Sequence, residues 1–296
     1  MLHHPIKGAL AMILAGIVFA VINTLTQILG TQTTIDSASV ALFQYLFALL
    51  FLAPSLFRAG KSVLKTRHLL WHILRIGISV IGIQCWISAL MYPIPIWQGI
   101  ALIMTSPLFA TLGAALFLKE KVGINRMLAT LLGFAGAMII LKPWAEDFNP
   151  VALLPLAAAL CWAIYSLMVK KLSAHDSPTT IVVYLFILIT PFNLLSVLQS
   201  AGLSLPDTAQ LGYLILLGFL TAIAQLAIAK AYNLADAAYL QPFDFLKLPL
   251  NVLGGWLVFQ AVPPGRLWLG AGLIILAILY ITYHESRSKN LTPHTK

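Results

Sequence analysis

The 296-residue sequence is 60% hydrophobic and only 9% charged, and its mean hydropathy is +0.93. Soluble domains carry about 25% charged residues, so this composition excludes a soluble fold and indicates a membrane protein. The net charge of +9 does not point to nucleic acid, because the basic residues stand between apolar runs rather than on one aromatic-rich stripe.

Ten apolar runs follow one another along the chain, each close to the roughly 20 residues that a membrane-spanning helix needs. They cover residues 6–29, 37–57, 69–91, 96–118, 125–141, 150–171, 179–199, 209–232, 237–259 and 266–284. Backbone groups in hydrocarbon must bond within their own segment, which favours helices. The sequence therefore predicts an all-α membrane protein with ten transmembrane helices.

The Lys and Arg residues predict how these helices are oriented. With the N-terminus inside, 14 basic residues fall on the cytoplasmic side and only Lys142 and Arg266 fall outside, while Arg75 and Lys247 lie within helices. Basic residues accumulate in cytoplasmic connections. We expect both termini in the cytoplasm and the protein in the bacterial inner membrane.

The two halves of the chain resemble each other. Tyr45-Leu46-Phe47 recurs as Tyr184-Leu185-Phe186, and similar matches in three further helix pairs have offsets between 139 and 143 residues. The pattern predicts a duplicated unit, with one five-helix repeat in residues 1–145 and a second in residues 146–296, which ends in a short cytoplasmic tail. An odd number of helices inverts the second unit, as in many secondary transporters.

Several segments also resemble the EamA-type carriers of the drug/metabolite transporter superfamily. The first is FLKEKVGINRMLATLLGFAGAMIILKP, which begins at the end of the helix that contains Pro107. The others are QPFDFLKLPLNVLGGWLVFQAVP, WLGAGLIILAILYI and the Trp162-Ala163 pair. The resemblance covers nearly the whole chain. It implies a secondary carrier that works by alternating access, with helices 1, 3, 4, 6, 8 and 9 around a central cavity and helices 5 and 10 outside.

Asp244 and Lys247 stand three residues apart in the ninth run, on one face of a helix. Each charge would cost about 2.5–3.5 kcal/mol at the bilayer centre, so both should face a polar cavity or each other. One interpretation is a site where Lys247 attracts a substrate carboxylate and Asp244 takes a proton or coupling ion. The other is an internal pair that only fixes helix packing.

Polar and aromatic positions recur at matched places in both halves, as symmetric helices lining one cavity would produce. Interhelical hydrogen bonds or interfacial anchoring would give the same pattern. The candidate substrate-binding residues are Asn23, Gln84, Trp97, Gln98, Thr105, Trp162, Tyr165, Gln225, Tyr239, Asp244 and Lys247. Pro107, Pro242 and Pro249 are candidate hinges, with static kinks as the alternative.

Two further groups have simple structural interpretations. His72 and Arg75 lie in the first turns of the third run, where we expect them to reach out to lipid phosphates. Gly133, Gly136, Gly270 and Gly272 suit close helix contact, either within the chain or in a homodimer.

No catalytic, ATP-binding, cofactor or metal-binding motif appears, which favours a carrier over an enzyme or a pump. Lys247, Asp244, amides and aromatic rings suit a small zwitterion, so an amino acid or a derivative is the expected substrate. Cationic metabolites such as S-adenosylmethionine, or drugs, are the alternative. A membrane-embedded enzyme would need clustered acid, base or metal ligands, and the seven histidines are scattered.

Overall fold

The computed structural model describes residues 5–60, 64–92, 94–117, 124–142, 144–146, 148–172, 175–176, 178–200, 203–234 and 246–290. Within those ranges all regular structure is helical. The helices are α1 Pro5–Gln32, α2 Ser37–Ala59, α3 Leu69–Met91, α4 Ile96–Ile103, α5 Ser106–Phe117, α6 Ile124–Leu141, α7 Leu154–Leu172, α8 Pro178–Gln199, α9 Thr208–Leu234, α10 Lys247–Phe259 and α11 Gly265–Asn290. A 3-10 turn, Pro150–Leu153, leads into α7.

The helices have the length and surface of a membrane protein. Five contain spans long and apolar enough to cross a bilayer, in α1, α2, α3, α7 and α9, and five shorter apolar helical stretches overlap the other predicted runs. Leu10, Leu198 and Leu257 each expose more than half of their surface, which suits contact with lipid rather than water. The all-helical membrane fold is confirmed, and the ten-helix inverted repeat stays a prediction.

The length of the fourth apolar run predicted one continuous helix, but the structure divides this run into two helices. Helix α4 ends at Ile103, and α5 begins at Ser106 after a turn at Met104 and Thr105. Pro107 has no amide hydrogen, so it cannot donate to the Ile103 carbonyl, but it fits the first turn of a new helix. The Thr105 hydroxyl donates to the Leu102 carbonyl (2.7 Å), which satisfies an acceptor at the end of α4.

The helices pack in pairs that join distant parts of the chain. Helix α1 lies along α9, α3 along α7, and α6 along α11. Helix α2 contacts both α8 and α9, α10 contacts α1 and α4, and α7 also contacts α4 and α5. The buried apolar core extends over these contacts and includes residues of α6 and α11, such as Ile140 and Ile274, as well as of α1, α3, α4, α7, α9 and α10.

The glycines of α6 and α11 show how closely two of these helices approach. A Cβ added to Gly136 would lie 2.6 Å from the Gly270 carbonyl oxygen, and one added to Gly133 would meet Leu108. Around Gly272, by contrast, nothing lies within 4 Å of such an atom. Packing within the chain therefore accounts for Gly133, Gly136 and Gly270, while a homodimer stays a prediction.

Candidate functional site

A buried polar node joins α1, α3 and α10 in the middle of the bundle. The Asn23 side-chain amide donates to Asn251 Oδ1 (2.9 Å), and the Trp86 indole N–H donates to Asn23 Oδ1 (3.2 Å). Asn251 in turn donates to the Lys247 carbonyl in the first turn of α10 (2.7 Å). Asn23, Asn251 and Trp86 are all buried, so each of these bonds replaces one that water would have made.

Two more amide contacts connect the bundle further out. Gln84 on α3 donates to Asn193 Oδ1 on α8 (3.1 Å), and Gln44 on α2 donates to the Thr221 hydroxyl on α9 (2.9 Å). One amide atom stays unsatisfied in each contact, because Asn193 Nδ2 and Gln44 Oε1 are buried without a partner in the described part of the chain. These unsatisfied atoms can hydrogen-bond water or a polar ligand.

Three tryptophans lie together next to the polar node. Trp86 and Trp97 are buried members of one apolar cluster, and Trp162 is half-buried against it. Gly82 on α3 and Gly99 on α4 leave room for these rings, since a Cβ at either position would lie 3.0 Å from Trp162 or Trp86. The Trp97 indole N–H is buried and has no acceptor in the described part of the chain.

Lys247, one of the two predicted charges, begins α10 and is half-buried. Its ammonium nitrogen lies 5.5 Å from the centre of the Phe19 ring on α1, a cation–π distance. Pro249 follows it in the first turn of α10. Its predicted neighbours Asp244, Tyr239 and Pro242 lie outside the described residues.

The predicted lining residues are only partly brought together. Asn23 joins the buried node beside Trp97 and Trp162, whereas Gln98 and Gln225 are half-buried elsewhere on α4 and α9. Thr105 is fully buried, and its hydroxyl donates to the Leu102 carbonyl three residues before it. Ser166, which lies 143 residues after Asn23 in the second half of the chain, is exposed and donates to the Trp162 carbonyl.

The expectation for Arg75 is wrong. Its side chain does not reach lipid but is fully buried, with zero exposed surface, as is that of His72. The Arg75 guanidinium donates to Tyr165 Oη (3.0 Å), to the Ile181 carbonyl (2.6 Å) and to His72 Nδ1. Enough acceptors lie within the bundle to hold the charge there, which one helix in isolation does not reveal.

His72 continues this chain of contacts to Asp176, between α7 and α8. His72 Nε2 lies 2.8 Å from Asp176 Oδ2, which also accepts from the Thr66 hydroxyl (2.8 Å). Burial raises the pKa of Asp176, but the hydrogen bonds from His72 and Thr66 outweigh it and hold the pKa below its usual value. A cavity of about 610 Å³ opens beside this carboxylate, lined also by Lys65, Arg67 and the two histidines His68 and His175.

Sequence reasoning missed Asn251, Asn193, Trp86 and the buried role of Arg75. Asn251 carries a readable signal, because it is a polar residue four positions after Lys247 on the same face of an apolar helix. Asn193 likewise interrupts an apolar run. For Trp86 no signal in the sequence separates a node member from a packing residue.

Comparison with known proteins settles the family. The model of the EamA-like transporter family matches residues 6–142 and 149–283, which is most of the chain. The chain belongs to the EamA-like transporter family. This confirms the resemblance drawn from the Pro107 and Lys247 segments, and it makes the protein a multi-pass membrane transporter of a small metabolite.

Related proteins carry specific names. A riboflavin transporter of Vibrio cholerae is 57% identical over 96% of both chains, and one of Rhizobium johnstonii is 49% identical over 95% of this chain and 93% of that protein. An S-adenosylmethionine uptake transporter of Rickettsia conorii is 30% identical over 90% of both. A crystal structure of a protein with 20% identity has a TM-score of 0.60 over 96% of this chain and 97% of that chain, which shows a common fold.

Proposed function

We propose that this protein carries riboflavin across the bacterial inner membrane by alternating access. The observation that carries the proposal is the 57% and 49% identity to riboflavin transporters over nearly the full length of the chain. The substrate-contacting residues of a carrier lie in its core helices, and both alignments cover more than nine-tenths of the chain.

The chemistry of the candidate site suits this ligand. Riboflavin is neutral at pH 7 and combines a flat three-ring system, one edge with carbonyl and imide groups, and a flexible polyol. Trp86, Trp97 and Trp162 offer faces for stacking, and the unpartnered Trp97 N–H offers a donor for a ring carbonyl. The Asn23 and Asn251 amides offer further donors and acceptors once substrate displaces their mutual bond.

The amino-acid substrate expected from the sequence has no support among the relatives. S-adenosylmethionine, the expected alternative, is named by more distant relatives, which are 28–30% identical to this chain. S-adenosylmethionine is therefore the competing substrate to be tested, and riboflavin replaces the amino acid as the proposed substrate.

We further propose that residues 1–145 and 146–296 form inverted repeats around this site. In such a repeat, α1, α3 and α6 of the first half would correspond to α7, α9 and α11 of the second. The symmetry that relates the halves would then convert the α1–α9 pair into the α7–α3 pair and would convert the α6–α11 pair into itself. All three pairings occur in the fold. The matched starts of α5 at Ser106 and α10 at Lys247 agree with the same exchange.

The proposal is tested by counterflow in proteoliposomes, which needs no knowledge of the direction of transport or of any coupling ion. Vesicles loaded with unlabelled riboflavin should accumulate labelled riboflavin transiently, and external S-adenosylmethionine should not compete. Counterflow of S-adenosylmethionine without riboflavin counterflow would refute the substrate.

A matched pair of variants tests the site itself. Trp97→Phe removes the buried indole N–H and replaces the indole by a smaller ring, and it should weaken half-saturation for riboflavin by at least about three- to tenfold, the worth of one hydrogen bond. Trp144→Phe makes the same change at an exposed ring outside the bundle and should have no effect. Equal behaviour of the two variants would remove Trp97 from the site.

A further inference from the structure

A fully buried arginine is unusual in a membrane helix, and Arg75 has no carboxylate in direct contact among the described residues. Its hydrogen-bond partners Tyr165, Ile181 and His72 are all neutral acceptors. The negative charge that balances it is Asp176, one imidazole ring further away. A guanidinium is always charged, so this arrangement costs desolvation that only the whole set of bonds offsets.

The hydrogen bonds set the proton position on His72. Nδ1 accepts from two nitrogens of Arg75, at 3.2 and 3.0 Å, so it must be unprotonated. The ring proton therefore sits on Nε2 and is donated to Asp176 Oδ2 at 2.8 Å. Arg75 thus donates to His72, and His72 donates to Asp176, in a chain of hydrogen bonds that we call the relay. Loss of the Asp176 carboxylate weakens the binding of His72 and, through it, of the Arg75 guanidinium.

The relay joins the two halves of the chain at one end of the bundle. Arg75 and His72 belong to α3 in the first half, while Tyr165, Asp176 and Ile181 belong to the second half. Two further contacts cross the same boundary: the Thr66 hydroxyl bonds Asp176, and the Tyr184 hydroxyl donates to the Leu64 carbonyl (2.8 Å). The His72 ring also stacks on the Tyr184 ring.

We propose that the Arg75–His72–Asp176 relay is the latch that holds this end of the carrier closed and that breaks when the end opens. The inference rests on the transport function, in which the two halves separate alternately at each end. Any separation of α3 from α7 and α8 at this end must break the bond from His72 to Asp176 and the bonds from Arg75 to Tyr165 and to the Ile181 carbonyl. A polar latch suits this role, because the water that enters on opening hydrates Arg75 and Asp176 and repays the lost bonds.

Accessibility of a native cysteine measures the latch without reference to any substrate. Cys161 on α7 packs against the Gly82 position of α3, on the interface that the latch holds together. In a Cys85→Ser background, Asp176→Asn removes the charge but keeps an acceptor of the same shape. We expect Cys161 to react with an impermeant maleimide at least about tenfold faster from the latch end, a shift of about 1.4 kcal/mol, and no faster from the opposite end.

The control variant is Lys171→Met. Lys171 lies at the same end, 4.2 Å from the centre of the Trp71 ring, but is not part of the relay. It removes a charge without touching the latch, so Cys161 should react at the wild-type rate. A similar acceleration in Lys171→Met would show a general loosening of this end and would overturn the latch.

A second variant keeps the test decisive if Asp176→Asn does not fold. Thr66→Val removes a single hydroxyl donor to Asp176 and should accelerate labelling about threefold, in the same direction. Unchanged labelling of Cys161 in every folded relay variant overturns the proposal. If wild type shows no riboflavin counterflow but the relay variants still open, the substrate is wrong and the latch stands.

Discussion

The crossing of α6 and α11 gives the sharpest test of the fold. A Cβ added at Gly270 would lie 2.6 Å from the Gly136 carbonyl oxygen and 2.5 Å from Ile140 Cγ1. Backbone cannot yield as a side chain does, so Gly270→Ala must push the helices apart, and overpacking of this kind costs about 1–3 kcal/mol. The higher helix propensity of alanine offsets about 1 kcal/mol of this cost, so the net loss is about 0–2 kcal/mol.

Gly272 provides the matched control two residues further along α11. A Cβ at this position meets nothing within 4 Å, so Gly272→Ala raises the helix propensity without overpacking any neighbour. The assay is reversible unfolding in mixed micelles by titration with SDS, followed by tryptophan fluorescence. The free energy of unfolding should fall for Gly270→Ala and stay level or rise for Gly272→Ala. Values for the two variants within about 0.5 kcal/mol of each other would refute the close crossing.

Three further predictions use other parts of the molecule. Asn23→Ala should lower the free energy of unfolding by about 1–3 kcal/mol, since it leaves the buried polar groups of Asn251 and Trp86 without their partner. The control Thr26→Val removes only a bond within α1 and should lower the free energy of unfolding by less than about 1 kcal/mol in the same titration. A cysteine at His175 should react with impermeant reagent only from the cytoplasm and one at Asp207 only from outside; reaction of both from one side would contradict the inverted repeat. The pKa of Asp176 lies below its usual value, so its stabilisation is present above the unfolded pKa of about 3.9 and disappears as the pH falls through the folded pKa. The melting temperature of wild type should therefore fall more steeply than that of Asp176→Asn below about pH 4, and parallel curves would contradict this.

Residues expected to carry charge chemistry show where sequence reasoning stops. Arg75 was expected to reach lipid, because it lies two turns from the predicted end of a membrane helix, and at such a position snorkelling is the usual outcome. Its actual partners Tyr165 and Ile181 are 90 and 106 residues away in the chain. Only the rotation of α3 about its axis, set by packing against α7 and α8, decides that the side chain faces inward.

The sequence by itself determined that this is an all-helical membrane protein and which family it belongs to, because hydrocarbon forces every apolar run of sufficient length to satisfy its own backbone. It also indicated where the fourth run loses an amide donor, at Pro107, although not that the helix restarts there. Only the tertiary structure decided which polar side chains meet. The bond between Asn23 and Asn251 spans 228 residues, and it depends on the register and rotation of two helices that no local pattern specifies.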